Sequence, residues 1–149
     1  MKEFMKDERG SALLLSIGVL VILAVIAVVI VSIAVSEKKA QFSTFTQSRA
    51  FYSADAAGEA GINWIRIQPG PPSIVDAANH VFVAGSYIPL STDHSYKYDV
   101  TFVRKHFRPG WSLEYKDFEY LIDADGTSVQ QSQAGIAVNA TRLFKEGYQ

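Results

Sequence analysis

The longest uninterrupted apolar stretch of the chain runs from residue 12 to residue 35. It contains 24 residues without a charge, of which 17 are Leu, Ile or Val, and only Ser16, Gly18 and Ser32 interrupt it. As an α-helix this stretch would be about 36 Å long, which exceeds the hydrocarbon core of a bilayer at about 30 Å. At roughly 0.3 to 0.6 kcal/mol for each Leu, Ile or Val, membrane insertion would gain about 5 to 10 kcal/mol. The pattern therefore predicts a membrane-spanning helix.

Apolar positions continue beyond this stretch at spacings of three or four, which is typical of an amphipathic helix. The apolar side consists of Phe42, Phe45, Ala54, Ala57, Gly61, Trp64 and Ile65, and the polar side of Glu37, Lys38, Lys39, Gln41, Ser48, Asp55 and Glu59. Three prolines and a glycine at residues 69–72 cannot continue a helix. We predict one helix over residues 11–67, about 85 Å long. Its membrane-spanning half is residues 11–36 and its amphipathic half is residues 37–67.

The C-terminal part of the chain shows the alternation of a half-buried β-strand. Tyr96, Tyr98, Val100 and Phe102 alternate with polar residues, as do Ile136, Val138 and Ala140 with small or polar ones. Between them, residues 113–122 change phase near Lys116 and Asp117, which indicates two strand pieces or a bulge. Pro109-Gly110 and Asp125-Gly126 are predicted turns. Residues 73–90 carry no clear pattern.

These elements predict an α+β fold, in which the long N-terminal helix packs through its C-terminal half on a small antiparallel sheet of three or four strands. The β domain, residues 68–149, has only 82 residues and cannot bury a large core by itself. We therefore expect the sheet to cover one side of the helix. The residues expected at that contact are Phe51, Ala54, Gly58, Trp64 and Ile65.

Composition excludes several classes of function. The net charge of −1 gives no general signal for nucleic acid or a membrane surface, and the absence of cysteine excludes disulfides, zinc–thiolate sites and thiol nucleophiles. The chain has no phosphate-binding loop, no dinucleotide-binding glycine motif and no nucleophile elbow. We expect no enzymatic activity and no cofactor.

Three short segments are weaker candidates for ligand binding. The basic segment 104–108 could contact the phosphates and bases of DNA, although a solvated hairpin end is the simpler interpretation, and no nucleic acid is expected. Residues 123–126 resemble the start of a calcium loop, but Ala134 stands where the loop needs a glutamate. His80, His94 and His106 lack the spacing of a metal motif.

The border between the charged first residues and the apolar stretch is a glycine, Gly10. A secretory signal peptide could be cleaved after the small-x-small sequence at residues 34–36, but it would need a shorter apolar core of about 7 to 15 residues. A plain signal anchor would explain the span but not the glycine. A third interpretation is a cleavable leader, residues 1–10, that ends at Gly10, because glycine lets the backbone be approached closely by a peptidase.

This arrangement of a charged leader, a border glycine and an apolar segment resembles that of the type IV prepilins. Their short charged leader ends in a glycine and is cut on the cytoplasmic side by a dedicated peptidase, which leaves the apolar segment in place and methylates the new N-terminus. By resemblance, Gly10 is the cleavage border and Ser11 the methylated first residue of the mature protein.

A second motif resembles the PilX-type minor pilins more specifically. Residues 49–59 read RAFYSADAAGE, which is similar to the AFYAAEAG segment of that family, and the resemblance covers about residues 8–66. Asp55 and Ala57 depart slightly from the family pattern. The larger departure is Leu15, because major pilins have a glutamate at the fifth mature position. A carboxylate there is thought to pair with the N-terminal amine of a neighbouring subunit, since it would otherwise be costly in an apolar helix.

The resemblance implies a structural subunit that takes part in pilus assembly or priming at the tip or base of the filament. Leu15 argues against a bulk filament subunit and for a minor or tip one, and the alternative is that it is an ordinary anchor residue. The expected partners are other pilins, the prepilin peptidase and the assembly machinery of the bacterial inner membrane. Contacts with other pilin helices would use Leu13, Leu14, Leu15, Ile17 and Leu20. Two alternatives stay open: a minor pseudopilin of a type II secretion system, and a single-pass anchored module that binds a ligand outside the cytoplasm.

The resemblance also implies the orientation of the precursor. Three basic residues precede the span (Lys2, Lys6, Arg9) and three follow it (Lys38, Lys39, Arg49), so the positive-inside rule does not decide the topology. By resemblance, the N-terminus is cytoplasmic, the C-terminal domain is periplasmic, and the processed protein then moves to the pilus at the cell surface.

Overall fold

The computed structural model describes the backbone of residues 4–145 and the side chains of residues 11–129 and 131–145. Its first element is helix α1, Phe4–Ile67, which contains no proline. The predicted leader lies partly outside the described residues, at positions 1–3. From Phe4 the helix continues through Gly10 without a break, so the backbone at the predicted cleavage border is helical and not extended.

The predicted end of the helix is confirmed, because α1 ends at Ile67, immediately before Gln68 and Pro69. The side-chain amide of Gln68 donates to the Trp64 carbonyl at 3.1 Å. The guanidinium of Arg142, from the sheet, donates to the Ile65 carbonyl. Carbonyl groups in the last turn of a helix lack the usual partner within the helix, and these donors satisfy them together with the backbone N–H of Gln68, which donates to the Ile65 carbonyl at 3.3 Å.

The chain forms two compact units, residues 1–43 and residues 44–149. In the first unit the described residues are all helical. The second unit contains the rest of α1 and a five-stranded antiparallel sheet. The strands are β1 (His80–Val83), β2 (Ile88–Ser91), β3 (His94–Phe107), β4 (Tyr115–Thr127) and β5 (Gln133–Lys145). The α+β fold predicted from the sequence is confirmed.

The sheet has the order β1-β3-β4-β5, and β2 pairs with β3 beside β1. Three long strands form its body, and the two short strands β1 and β2 cover parts of one edge of β3. The sequence predicted three or four strands because β1 and β2 have four residues each and lie in or next to residues 73–90. Strands this short do not produce a readable alternation.

Two sequence predictions about β4 were wrong. Asp125-Gly126 is not a turn, because both residues lie inside β4 and pair with Gly135 and Ala134 of β5. Strand β4 is also continuous through Lys116 and Asp117, and the bulge lies on β3, where the register with β4 shifts between Phe102 and Arg104. The actual connection between β4 and β5 is a 3₁₀ turn at Val129–Gln131.

The hydrophobic core lies between α1 and one face of the sheet. Val100, Tyr120, Ile122 and Ala124 are fully buried on the sheet side, and Ala54 and Ala57 on the helix side. The 82 residues of the β domain are too few to bury a large core by themselves. The helix supplies the second layer, as the sequence predicted.

Candidate functional site

The apolar half of α1 has no cover within the described residues. Every large apolar side chain between Leu13 and Val35 is exposed, among them Leu13, Leu14, Leu15, Ile17 and Leu20. Such a surface is unfavourable in water and favourable in lipid. The described helix from Ser11 to Ile67 is long and apolar enough to cross a membrane.

The predicted processing site lies at the start of this apolar surface. Ser11 is exposed, and Gly10 belongs to α1. Leu15 is 69% exposed and is not part of the hydrophobic core formed by the described residues. The Ser16 hydroxyl donates to the Leu13 carbonyl at 2.8 Å, which keeps this polar group satisfied inside an apolar segment. The exposed position of Ser11 suits a segment on which another protein acts.

The second motif, residues 49–59, has two different sides. Its small residues Ala50, Ser53, Ala54 and Ala57 are buried towards the sheet. Phe51, which the sequence analysis placed at the helix–sheet contact, is instead 51% exposed. It lies next to the exposed Tyr52, with the ring centroids 6.3 Å apart. Phe51 was predicted at this contact as part of an apolar helix face, but the sheet approaches this part of the helix so closely that the buried side chains there are small.

The closeness of this contact explains the glycines around it. A Cβ added at Gly126 of β4 would collide with the backbone of α1 at Ala50 and Ala54. A Cβ at Gly61 would lie 2.6 Å from Ile122, and one at Gly58 would lie 3.3 Å from Ile136 and Val138. Helix and sheet therefore meet almost backbone to backbone, as small residues permit.

The remaining residues predicted at this contact are found there. Ile65 is buried, and Trp64 is half-buried with its ring 5.1 Å from the ring of Phe82 on β1. Ala54 and Gly58 are buried.

Neither Gly126 nor Arg142 was predicted from the sequence as a residue of the helix–sheet contact. The period-two pattern of Tyr120, Ile122 and Ala124 extends to Gly126, and this signal could have placed Gly126 inside the strand.

The basic segment 104–108 lies at the end of β3, and both of its arginines are paired with carboxylates. Arg104 donates to both oxygens of Glu119, at 2.5 and 3.1 Å, and Arg108 donates to Asp117 at 3.0 Å. The hydrogen bond from Arg104 lowers the pKa of Glu119, so this carboxyl is ionised at neutral pH and has no proton to donate as an acid.

The candidate metal ligands do not come together. His80 contacts Asp76 at 2.6 Å, His94 contacts Ser91 at 3.1 Å, and His106 lies 3.5 Å from Glu119. Within residues 11–145 no group of three or more histidine or acidic side chains could hold a metal ion. Asp125, from the segment that resembled a calcium loop, pairs with Lys97 at 3.2 Å and lies in a strand.

The hydroxyl of the buried Tyr120 is not a catalytic base. Burial raises the pKa of Tyr120 to about 12, so its hydroxyl stays protonated at neutral pH and does not act as a base. In the described part of the chain this hydroxyl has no hydrogen-bond partner.

No protein-family model, curated protein or solved structure matches this chain. Its own residues and their geometry therefore provide the evidence for its function.

Proposed function

We propose that this protein is a minor type IV pilin of the PilX type, a structural subunit that is inserted in the bacterial inner membrane as a precursor and later assembled into a filament. The strongest support is that the two parts of α1 have different surroundings. Residues 44–67 are committed to the protein's own sheet, while the apolar residues 12–35 have no cover at all in the described chain. A helix of this kind is stable only in lipid or among other apolar helices.

The processing chemistry belongs to the peptidase in this proposal, and the protein is its substrate. Cleavage after Gly10 removes the charged leader, and methylation follows at Ser11. Because the apolar segment remains attached, the mature protein stays in the membrane until other pilin helices replace the lipid around it. The exposed residues Leu13, Leu14, Leu15, Ile17 and Leu20 would make the first of these contacts.

Leu15 defines the kind of subunit that we propose. A glutamate at this position could pair with the N-terminal amine of a neighbouring subunit, whereas a leucine cannot form that ion pair. A subunit without the carboxylate would lack one of the contacts that add it to the bulk of a filament. We therefore propose a role in priming, at the tip or base of the pilus. A minor pseudopilin of a type II secretion system would use the same parts.

The experiment that tests the proposal replaces the border glycine. Gly10→Val should leave the precursor uncut in the membrane of a host that carries a prepilin peptidase, and the uncut form should migrate more slowly in electrophoresis. Gly18→Val is the matched control, because a Cβ at Gly18 meets no atom within 4 Å and the residue lies inside the apolar segment, eight positions after Gly10. Efficient processing of both variants would contradict the proposal and favour a plain membrane anchor.

A further inference from the structure

The two edges of the sheet differ in the features that keep a sheet edge from pairing with another strand. On one edge, β1 and β2 have four residues each, both shift register against β3, and β2 contains Pro89. The part of β3 beyond them carries Arg104 and Lys105. Short strands, bulges, proline and charged side chains all discourage the addition of a further strand. This edge has all four features.

The opposite edge is β5, which has none of these features over most of its length. All 13 residues of β5 pair with β4 in one continuous register. Residues 133–141 contain no proline and no charged residue. Their exposure alternates, with Ile136 and Val138 packed against the core and Ala137 and Asn139 exposed. A long, regular and uncharged edge of this kind accepts a further strand.

The outer backbone groups of β5 are directed away from the sheet. Alternate residues of a strand direct their N–H and C=O groups to opposite sides, so about half of these groups in β5 point away from β4. Within the described residues 4–145, residues 133–141 make no backbone–backbone hydrogen bond outside the ladder with β4. A row of alternating donors and acceptors is recognised by an extended polypeptide backbone, which adds a strand to the sheet. The chemistry of this edge therefore favours a peptide segment as its occupant.

The direction of β5 argues against a second copy of the chain as that occupant. Ser132 contacts Thr46 at the start of β5, at 3.0 Å, and Arg142 contacts Ile65 near its end, so β5 runs in the same direction as this part of α1. An antiparallel ladder between two copies of β5 would reverse the direction of this part of α1 in the second copy. Because it leads back to the apolar residues 12–35 in both copies, two copies anchored in one bilayer would not form this ladder. A different polypeptide is not restricted in this way.

We propose that the β5 edge binds an extended segment of a different polypeptide, which pairs with residues 133–141 antiparallel, as every pair in this sheet does. The segment has no charge at its centre and has β-branched or aromatic side chains next to Ile136 and Val138, because such cross-strand pairs stabilise a ladder. The proposal rests on the proposed function only in placing residues 12–35 in a membrane. It does not depend on cleavage after Gly10 or on assembly into a filament.

The test uses the full chain in nanodiscs of phosphatidylcholine and a fluorescein-labelled peptide of four Thr-Val repeats with two lysines at each end. The peptide should bind and raise the fluorescence anisotropy. Amide hydrogen exchange should then slow at alternate residues within 133–141, because only every second N–H of β5 points away from β4. Absence of binding, or binding without this alternating protection, would overturn the proposal.

Two N-methylated peptides show whether the backbone is recognised. Methylation of every threonine amide removes the N–H groups on one side of the extended peptide, and methylation of every valine amide removes those on the other side. One of the two peptides should bind as the unmodified peptide does, and the other should not bind. Equal affinities of the two peptides would overturn the proposal, because recognition would then not depend on a ladder.

Two lysine substitutions locate the binding site on the β5 edge. Ala137→Lys should weaken binding of the unmodified peptide about tenfold, because a charge at the centre of the edge opposes pairing. The fold should tolerate this lysine, since the β4 neighbour of Ala137 is Asp123. Val103→Lys is the matched control, because Val103 is also exposed but lies on β3. It should leave the affinity unchanged, and equal weakening by the two variants would contradict the assignment to β5.

The same hydrogen-exchange measurement without peptide distinguishes a second copy of the chain from a different polypeptide. We expect the outer amides of residues 133–141 to exchange at a rate that does not depend on protein concentration. Slower exchange at higher protein concentration would identify a second copy as the occupant and would overturn the proposal. None of these measurements needs a prepilin peptidase, so their failure is distinguishable from normal cleavage of Gly10→Val.

Discussion

The two halves of α1 use opposite kinds of apolar residue. Between residues 12 and 35 the helix carries leucine, isoleucine and valine on all sides, and every one of these side chains is exposed. Between residues 44 and 67 its fully buried residues include Ala50, Ala54 and Ala57, while the larger Phe45, Phe51 and Tyr52 are exposed. Around residues 45–57 the buried side chains of the helix are small, because the sheet approaches the helix backbone closely there. Nearer the end of α1 the larger Ile65 is buried as well.

The largest effect should come from charging the apolar half. Replacing Leu23 and Ile26 together by arginine should cost about 6 to 8 kcal/mol of membrane insertion, which is on the order of the whole insertion gain of the segment. The protein should leave the membrane pellet on alkaline extraction, whereas the corresponding double alanine variant should stay in it. The sheet unit should keep its unfolding free energy, because both side chains are exposed and belong to the other compact unit. Loss of the sheet's folding in the arginine variant would show that the two halves are not independent.

The reverse experiment changes the sheet contact and leaves the apolar half intact. Gly126→Ala should lower the free energy of unfolding by about 3 kcal/mol, because the new Cβ collides with the α1 backbone and no side-chain rotation can relieve the clash. Denaturant unfolding followed by Trp64 fluorescence would measure this. Gly85→Ala should be nearly neutral, since a Cβ at Gly85 meets no atom within 4 Å. Equal effects of the two substitutions would contradict the close helix–sheet contact.

The smallest effect concerns an exposed pair at the start of the sheet. The hydrogen bond with Asp76 raises the pKa of His80 above its ordinary value of 6.5, and the same bond lowers the pKa of Asp76 below 3.8. A raised histidine pKa stabilises the folded state below pH 6.5, and this contribution is lost as the pH rises through the folded value. The contribution of Asp76 is present above pH 3.8 and is lost as the pH falls through its own lowered value.

Asp76→Asn should therefore return the pKa of His80 towards 6.5 in an NMR titration of the ring. Asp93→Asn, another exposed position, should leave the pKa of His80 unchanged. An unchanged pKa of His80 in Asp76→Asn would contradict the claim that Asp76 raises it. Either way the apolar half should not respond to pH in this range, because residues 12–35 carry no titratable group.

The sequence predicts the parts of the fold that depend on long repeated patterns. The apolar run, the end of α1 before Pro69, and the alternation in β3 and β5 all follow from composition and period. The sequence is less informative where the position of a residue depends on a tertiary contact. Asp125-Gly126 has the composition of a turn, but Gly126 is a strand residue that makes room for a helix 72 or more positions earlier in the chain. Phe51 fits an apolar face, but the sheet leaves no space for its ring.

The candidate site shows the same limit. Gly10 and Ser11 follow from a local pattern that needs no structure, and they stay predictions because cleavage is an act of another protein. Arg142 could not be assigned from sequence, because its partner is a backbone carbonyl of α1 some 77 positions away. The sequence shows the connection between β3 and β4 only as a basic segment, since the exposure of Trp111 and Leu113 depends on the conformation of the turn.

The mass of the N-terminal peptide of the protein, isolated from the membranes of its own cell, tests the central claim most directly. We predict a mature chain that begins at Ser11 and carries one additional methyl group on its amine, with residues 12–35 still attached. A chain that begins at Met1 would identify an unprocessed anchor. A chain that begins at Glu37 would identify a secreted domain without the apolar helix, and either result would contradict the claim.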